Sequence, residues 1–201
     1  MGDVARVLIV CTGNICRSPF IERLLQHQLD EGRQGTDRAI LVHSAGTGAL
    51  TGSAMDEWAA ARLVALGGDP VGFRARDLTA DLIAGSDLVL TATRWHRGRV
   101  AEMYPKALRQ VFTFRDFADL VAVVDLVAWV DRPGSRVTHQ DPQAWVRQVT
   151  EKAAAGRGLN PPLEPAQADI VDPFRREDGV FDAMAEQIAE SMPAVVHALA
   201  G

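Results

Sequence analysis

The chain is 201 residues long, with 47% hydrophobic and 23% charged residues, the balance of an ordinary globular domain, which excludes a disordered or fibrous protein. Its 21 Lys plus Arg against 26 Asp plus Glu leave a formal net charge of -5, so no sequence-wide positive field gathers nucleic acid or anionic lipid, and neither is expected as a partner. One domain over 1–201 suits the length; the first apolar run, Val7 to Cys11, is far below the roughly 20 residues that span a bilayer, and no signal-peptide pattern accompanies it, which predicts a cytoplasmic protein.

Short apolar runs at Val7–Val10, Ile40–Val42, Asp87–Thr91 and Val111–Phe114 are too brief and too β-branched for helices and predict buried strands. Between them, Ile21, Leu24, Leu25 and Gln28–Leu29 fall on one face of a first helix. Trp58, Arg62–Leu63 and Leu66 repeat that spacing before Gly67 and Gly68 end a second. The alternation implies βαβ units and a mainly parallel sheet. From about Phe117 to Ala168 the pattern changes to a Val-rich stretch, an amphipathic piece around Trp145 and Val149, and Pro-rich loops, which together read as an insertion with one or two helices. Phe181, Met184, Ile188, Met192, Val195 and Leu199 then predict a terminal helix against the sheet, bent or interrupted at Pro193. The tryptophans, Trp58, Trp95, Trp129 and Trp145, read as core or insertion packing, with Trp95 a candidate cleft wall. Arg outnumbers Lys 19 to 2, a bias that reads as codon usage in a GC-rich genome.

Two cysteines, Cys11 and Cys16, are too few to staple a fold of this size or to build a structural zinc site. The five histidines are dispersed, so no metal is expected. The informative stretch is Cys11-Thr12-Gly13-Asn14-Ile15-Cys16-Arg17-Ser18-Pro19, where the first strand hands over to the first helix. A loop in that position aims successive amides at one point and adds the positive end of a helix dipole, which makes an anion site. Gly13 permits a tight curl, and Pro19 suits a first helical turn. A Walker-type nucleotide loop would require a Lys and a second Gly that this stretch lacks. It offers instead a thiol at its start and a guanidinium six residues later, so that one turn of chain encircles a tetrahedral oxyanion. A thiolate at the floor of such a cradle can attack phosphorus in line, giving a phosphocysteine. Arg17 and the loop residues Thr12, Gly13, Asn14, Ile15, Cys16 and Ser18 would hold the equatorial oxygens. Ser18 would also donate a hydrogen bond to the Cys11 sulfur.

This loop resembles the Cys-x5-Arg-Ser signature of the low-molecular-weight protein tyrosine phosphatases. Ser44-Ala45-Gly46-Thr47 after the second strand, the Arg74-Ala75-Arg76-Asp77-Leu78 turn and Asp172-Pro173-Phe174 are similar to further segments of that family, the last to its general-acid loop. The resemblance covers roughly residues 5–116 and 168–200 and leaves 117–168 unmatched. It implies an α/β single domain whose four-stranded parallel sheet is flanked by helices on both faces, with the insertion placed before the acid loop. The activity it implies is hydrolysis of phosphotyrosine monoesters, on a protein or as small phosphate esters, with no cofactor and no metal. Cys11 would be the nucleophile, Arg17 the transition-state clamp, and Asp172 the acid that protonates the leaving phenolate and then, as base, activates water. Asn14 and Ser44 would brace the loop; Cys16 reads either as a filler on the loop's outer side or, as the resemblance implies, as a reversible disulfide partner for an oxidised Cys11.

Asp169, Glu177, Asp178 and Asp182 compete with Asp172 for the acid's role, and the proline that follows Asp172 singles it out, because a residue before proline is conformationally restrained. Arg74 and Arg76 read as a solvated or capping pair. Leu50 stands where an aromatic residue often walls the family's cleft, Phe174 replaces a Tyr, and Phe73 takes the place of a loop-supporting His. Two other functions compete: arsenate reduction coupled to a small thiol, which needs only Cys11, and phosphopeptide binding without catalysis, which needs neither the thiol nor the acid.

Overall fold

The computed structural model describes residues 4–32, 40–122, 141–159 and 161–201. Four strands, β1 (Ala5–Cys11), β2 (Ile40–Gly46), β3 (Leu88–Thr91) and β4 (Val111–Thr113), form one parallel sheet in the order β2-β1-β3-β4. The chain leaves β1 for one side of the sheet and then crosses to the other for β3, so the carboxyl ends of these two strands face the crevice where the winding reverses. Cys11 lies at that end of β1, in register with Gly46 of β2.

Both faces of the sheet are covered. Ala5, Val7 and Ile9 belong to a core shared with α1 (Arg17–Glu31), α2 (Glu57–Ala65), α5 (Phe114–Ala122), α6 (Pro142–Gly156) and α8 (Asp178–Ala200). Leu8 and Val10 pack on the other side against Ile83 of α3 (Ala80–Ala84), Val100 of α4 (Arg94–Met103) and Ala107 of the 3-10 turn Pro105–Arg109. Burial on both sides explains why β1 reads as an unbroken apolar run rather than an alternation.

Several expected boundaries shift, each for a local reason. Phe114 begins α5 instead of ending β4, because Thr113 Oγ1 accepts the Asp116 amide at 3.0 Å and caps the helix. That helix crosses the position where the insertion was expected to start, and it buries Phe114, Phe117, Ala118 and Val121 along one stripe. In α2 the buried residues are Ala59 and Leu63, while Trp58 is 45% exposed and lies edge-on to Phe181 at 5.3 Å. The Asp56 cap sets that rotation by accepting the amides of Trp58 and Ala59. α8 runs through Pro193 without interruption, since Met192 and Val195 are buried on either side and their packing outweighs one lost backbone bond.

Between α5 and the acid loop, α6 inserts Trp145, Val146, Val149 and Ala153 into the main core. The Trp145 indole donates to the carbonyls of Ala198 and Leu199 at 3.1 Å, tying α6 to the end of α8. The short α7 (Pro165–Ala168) then leads back to the crevice. Trp129 and the rest of 123–140 lie outside the described residues. No helix among the described residues is long and apolar enough to cross a membrane.

Candidate active site

The loop between β1 and α1 is held from outside by its carbonyls. Those of Cys11, Thr12, Gly13 and Ile15 accept the amides of Thr47, Gly48, Leu50 and Asp56 at 2.9 to 3.1 Å. Asn14 takes a left-handed conformation, φ 54°, which curls the chain. With the carbonyls engaged outward, the amides turn inward as an anion-binding nest. α1 adds its own amides, since Cys16 at its N-cap makes no side-chain cap bond.

Gly46 permits this close approach. A Cβ there would lie 2.2 Å from the Thr12 carbonyl oxygen and 3.1 Å from Ala49 Cα. Both are backbone atoms in hydrogen-bonded segments, so neither yields cheaply. Gly46→Ala is expected to push the loop out of shape, lowering kcat/KM for an aryl phosphate about a hundredfold and stability by about 1–3 kcal/mol. Steady-state kinetics and urea unfolding of the same preparation check both.

A chain of side-chain bonds runs beneath the loop. Ser44 Oγ donates to Glu22 Oε2 at 2.5 Å, and Asn14 Nδ2 donates to Ser44 Oγ at 2.8 Å and to Ser18 Oγ at 2.9 Å. Ser18 Oγ therefore accepts from Asn14 and has its own proton free for Cys11 Sγ, 2.9 Å away. The far side of Asn14 is held as well, because its Oδ1 accepts the Arg76 amide at 2.9 Å. Arg76 Nε in turn donates to the Ser44 carbonyl at 2.8 Å. Arg76 is thus a brace of the loop from the protein surface and more than the solvated or capping residue expected from sequence, whereas Arg74, exposed as well, bonds the Phe73 carbonyl. Burial pushes the Glu22 carboxyl above its ordinary range.

On the other side, His96 bridges Thr12 Oγ1 at 2.9 Å and Thr93 Oγ1 at 2.6 Å. Burial, and then the Arg17 charge, lower its pKa to about 3, so it is a neutral support. Sequence reasoning grouped His96 with the dispersed histidines; its position one turn past the carboxyl end of β3 was the available signal. Glu22 had none, since nothing in a helical Glu announces a buried Ser partner. Phe73 is buried, with the Arg23 guanidinium 5.7 Å from its ring centre, and takes no part in these bonds.

Arg17 is 4% exposed. Its Nη2 meets Asp172 Oδ2 at 2.9 Å and its Nη1 reaches the Ile170 carbonyl at 3.4 Å. The remaining Nε is buried without a partner among the described residues, a donor suited to an oxyanion held in the loop. Asp172 arrives through a well-anchored approach: the Ile170 amide bonds the Ala92 carbonyl, Asp169 Oδ1 accepts the Arg94 amide, and Gln187 Oε1 accepts that of Val171. Those contacts also separate the competing carboxylates. Asp169 is held by Arg94, while Asp178 and Asp182 hold Arg62 at 2.6 and 2.8 Å. Asp172 is the one of the five that lines the cavity with Cys11.

That cavity is a slot of about 130 Å³ with Cys11, Thr12 and Gly13 at its floor and Leu50 and Phe174 as walls. Cys16 also lines it as a buried free thiol, and burial pushes its pKa up. Trp95 does not line it, but stands 58% exposed and edge-on to His96.

A family model for low molecular weight phosphotyrosine protein phosphatases matches residues 6–136, running past residue 116 into the segment expected to be unmatched. Among curated proteins, the low molecular weight protein-tyrosine-phosphatase Wzb of Escherichia coli K12 is 38% identical over 108 residues, 54% of this chain and 68% of that protein. The probable phosphatase AmsI of Erwinia amylovora is 33% identical over 119 residues, 59% of this chain and 77% of its own length. The crystal structure of the Erwinia amylovora tyrosine phosphatase amsI superposes with a TM-score of 0.64 at 26% identity, covering 98% of this chain and 93% of that one. The sequence signature, the sheet order and these matches agree: the chain belongs to the low molecular weight phosphotyrosine protein phosphatase family.

Proposed function

We propose that the chain hydrolyses phosphotyrosine monoesters through a phosphocysteine, with Cys11 as nucleophile, Arg17 as phosphate clamp and Asp172 as general acid and then base. The observation that carries this reading is one cavity holding Cys11 Sγ, 2.9 Å from the Ser18 hydroxyl, beneath the Arg17–Asp172 pair, itself closed at 2.9 Å. The dianion enters between the inward amides and the Arg17 fork, taking the place of the Asp172 carboxylate on the guanidinium. Asp172, released from Arg17, takes a proton from solvent; Cys11 Sγ then forms the S–P bond as the P–O bond to the aryl group breaks, and that proton goes to the leaving oxygen. Water completes the cycle by giving its proton to Asp172 and attacking phosphorus, which frees phosphate and the thiolate. Ser18 supports the sulfur while it carries charge, and the Glu22–Ser44–Asn14 chain holds Ser18 in place.

Asp172→Asn tests the acid. The variant keeps the shape and loses the proton, so kcat with phenyl phosphate should fall about a hundredfold or more. With p-nitrophenyl phosphate, whose leaving group departs unassisted, the loss should be far smaller. Equal losses for the two esters would remove Asp172 from the acid role. A folded protein that cleaves neither ester but reduces arsenate with a small thiol would replace the phosphatase reading altogether.

A further inference from the structure

The two residues that follow Phe174, a lining residue of the slot, belong to a second recess. The Arg175 guanidinium lies 5.1 Å from the centre of the Phe174 ring. Arg175 and Arg176 line, with Asp56, Glu57, Trp58 and Phe181, a cavity of about 280 Å³. The nearby Arg62 is committed to Asp178 and Asp182, whereas Arg175 and Arg176 are exposed and pair with no carboxylate among the described residues. Asp56 Oδ1 caps α2 by accepting the amides of Trp58 and Ala59, which leaves its charge in place, so the recess sets two guanidinium groups without ion-pair partners among the described residues against the carboxylates of Asp56 and Glu57. Trp58, half exposed, supplies an aromatic wall.

The backbone adds an independent sign. Pro173 to Arg176 is a tight turn closed by the Arg176 amide on the Pro173 carbonyl at 2.9 Å, and Arg175 sits in it at φ 58°. That conformation suits glycine and strains arginine, so the chain holds a cation at a position whose backbone favours having no side chain at all.

We propose that Arg175, Arg176 and Trp58 form a specificity subsite for a carboxylate side chain flanking the phosphotyrosine, which makes acidic phosphotyrosine segments the preferred substrates. This rests on the phosphatase reading above. A ring seated between Leu50 and Phe174 brings its own peptide chain over the rim at Phe174, where Arg175 is the next side chain met. The two outward guanidinium groups at a solvated rim then favour capture of acidic neighbours, and Asp56 and Glu57 work against it.

The test uses the full chain and three phosphotyrosine peptides of one sequence, with Glu, Gln or Lys on both sides of the phosphotyrosine. In the parent, kcat/KM should fall in the order Glu, Gln, Lys, by about threefold per step, as expected for two rim charges. Arg175→Gly, which the turn accepts without strain, combined with Arg176→Ala should compress the spread to less than twofold, and Glu57→Gln should widen it. Raising ionic strength should compress it in the parent as well. Because each comparison is a ratio within one protein, a general loss of activity drops out. Equal kcat/KM for the Glu and Lys peptides in the parent, or a spread that survives in the double variant, overturns the subsite. Cleavage of p-nitrophenyl phosphate without cleavage of any peptide overturns it while leaving the cysteine chemistry standing. Loss of all turnover in the folded parent overturns both.

Discussion

Cys11→Ser is expected to reduce kcat with p-nitrophenyl phosphate by on the order of 10⁴-fold or more, while the protein stays folded and still binds inorganic phosphate. The substitution changes one atom in a buried position whose neighbours are fixed by bonds that do not involve sulfur. The loop carbonyls bind the segment after β2, Asn14 binds Ser18 and Ser44, and Arg17 binds Asp172 and Ile170. A serine hydroxyl fits that environment but is a far weaker nucleophile toward phosphorus and a poorer leaving group in the second step. Binding and chemistry should therefore separate cleanly, read by calorimetric titration of phosphate beside the rate assay. Turnover within tenfold of the parent would remove Cys11 from the nucleophile's place.

Arg17→Lys carries the second large effect, a loss of roughly a thousandfold in kcat. Three directions of one planar group matter: Nη2 toward Asp172, Nη1 toward Ile170, and the buried Nε left for the oxyanion. Lysine keeps the charge but presents a compact ammonium on a flexible stem, which cannot satisfy a bidentate oxyanion and the Ile170 carbonyl together. Because the clamp matters most as charge spreads over the equatorial oxygens, kcat should fall by a larger factor than KM rises. A change confined to KM would make Arg17 a binding residue only.

The loop was legible from sequence because its function is built from consecutive residues: a strand end, a curl and a helix start place Cys11, Arg17 and Ser18 within one turn of chain. The strands were legible because burial on both faces leaves continuous apolar runs. What supports the loop was not, because Glu22, Arg76 and His96 come to it from α1, from the turn before α3 and from α4, and only the winding of the sheet brings them together. Arg76 looked like an ordinary surface arginine until the Asn14 and Ser44 contacts gave it a task. The choice among five carboxylates rested on the proline after Asp172. The structure supplies the physical complement, since the partners of Asp169, Asp178 and Asp182 keep those side chains elsewhere. A helix face was misread where the Asp56 cap fixes the rotation that exposes Trp58, and a strand end was misread where the Thr113 cap starts α5 at Phe114.

Rapid quenching of Asp172→Asn during turnover of p-nitrophenyl phosphate, followed by mass spectrometry of its peptides, tests the central claim most directly. If Cys11 is the nucleophile, the peptide containing it should carry the mass of one phosphoryl group, labile as a thiophosphate ester is, and the modification should be absent from Cys11→Ser. Release of phosphate with no covalent intermediate, or a phosphoryl group on any other residue, would contradict the account.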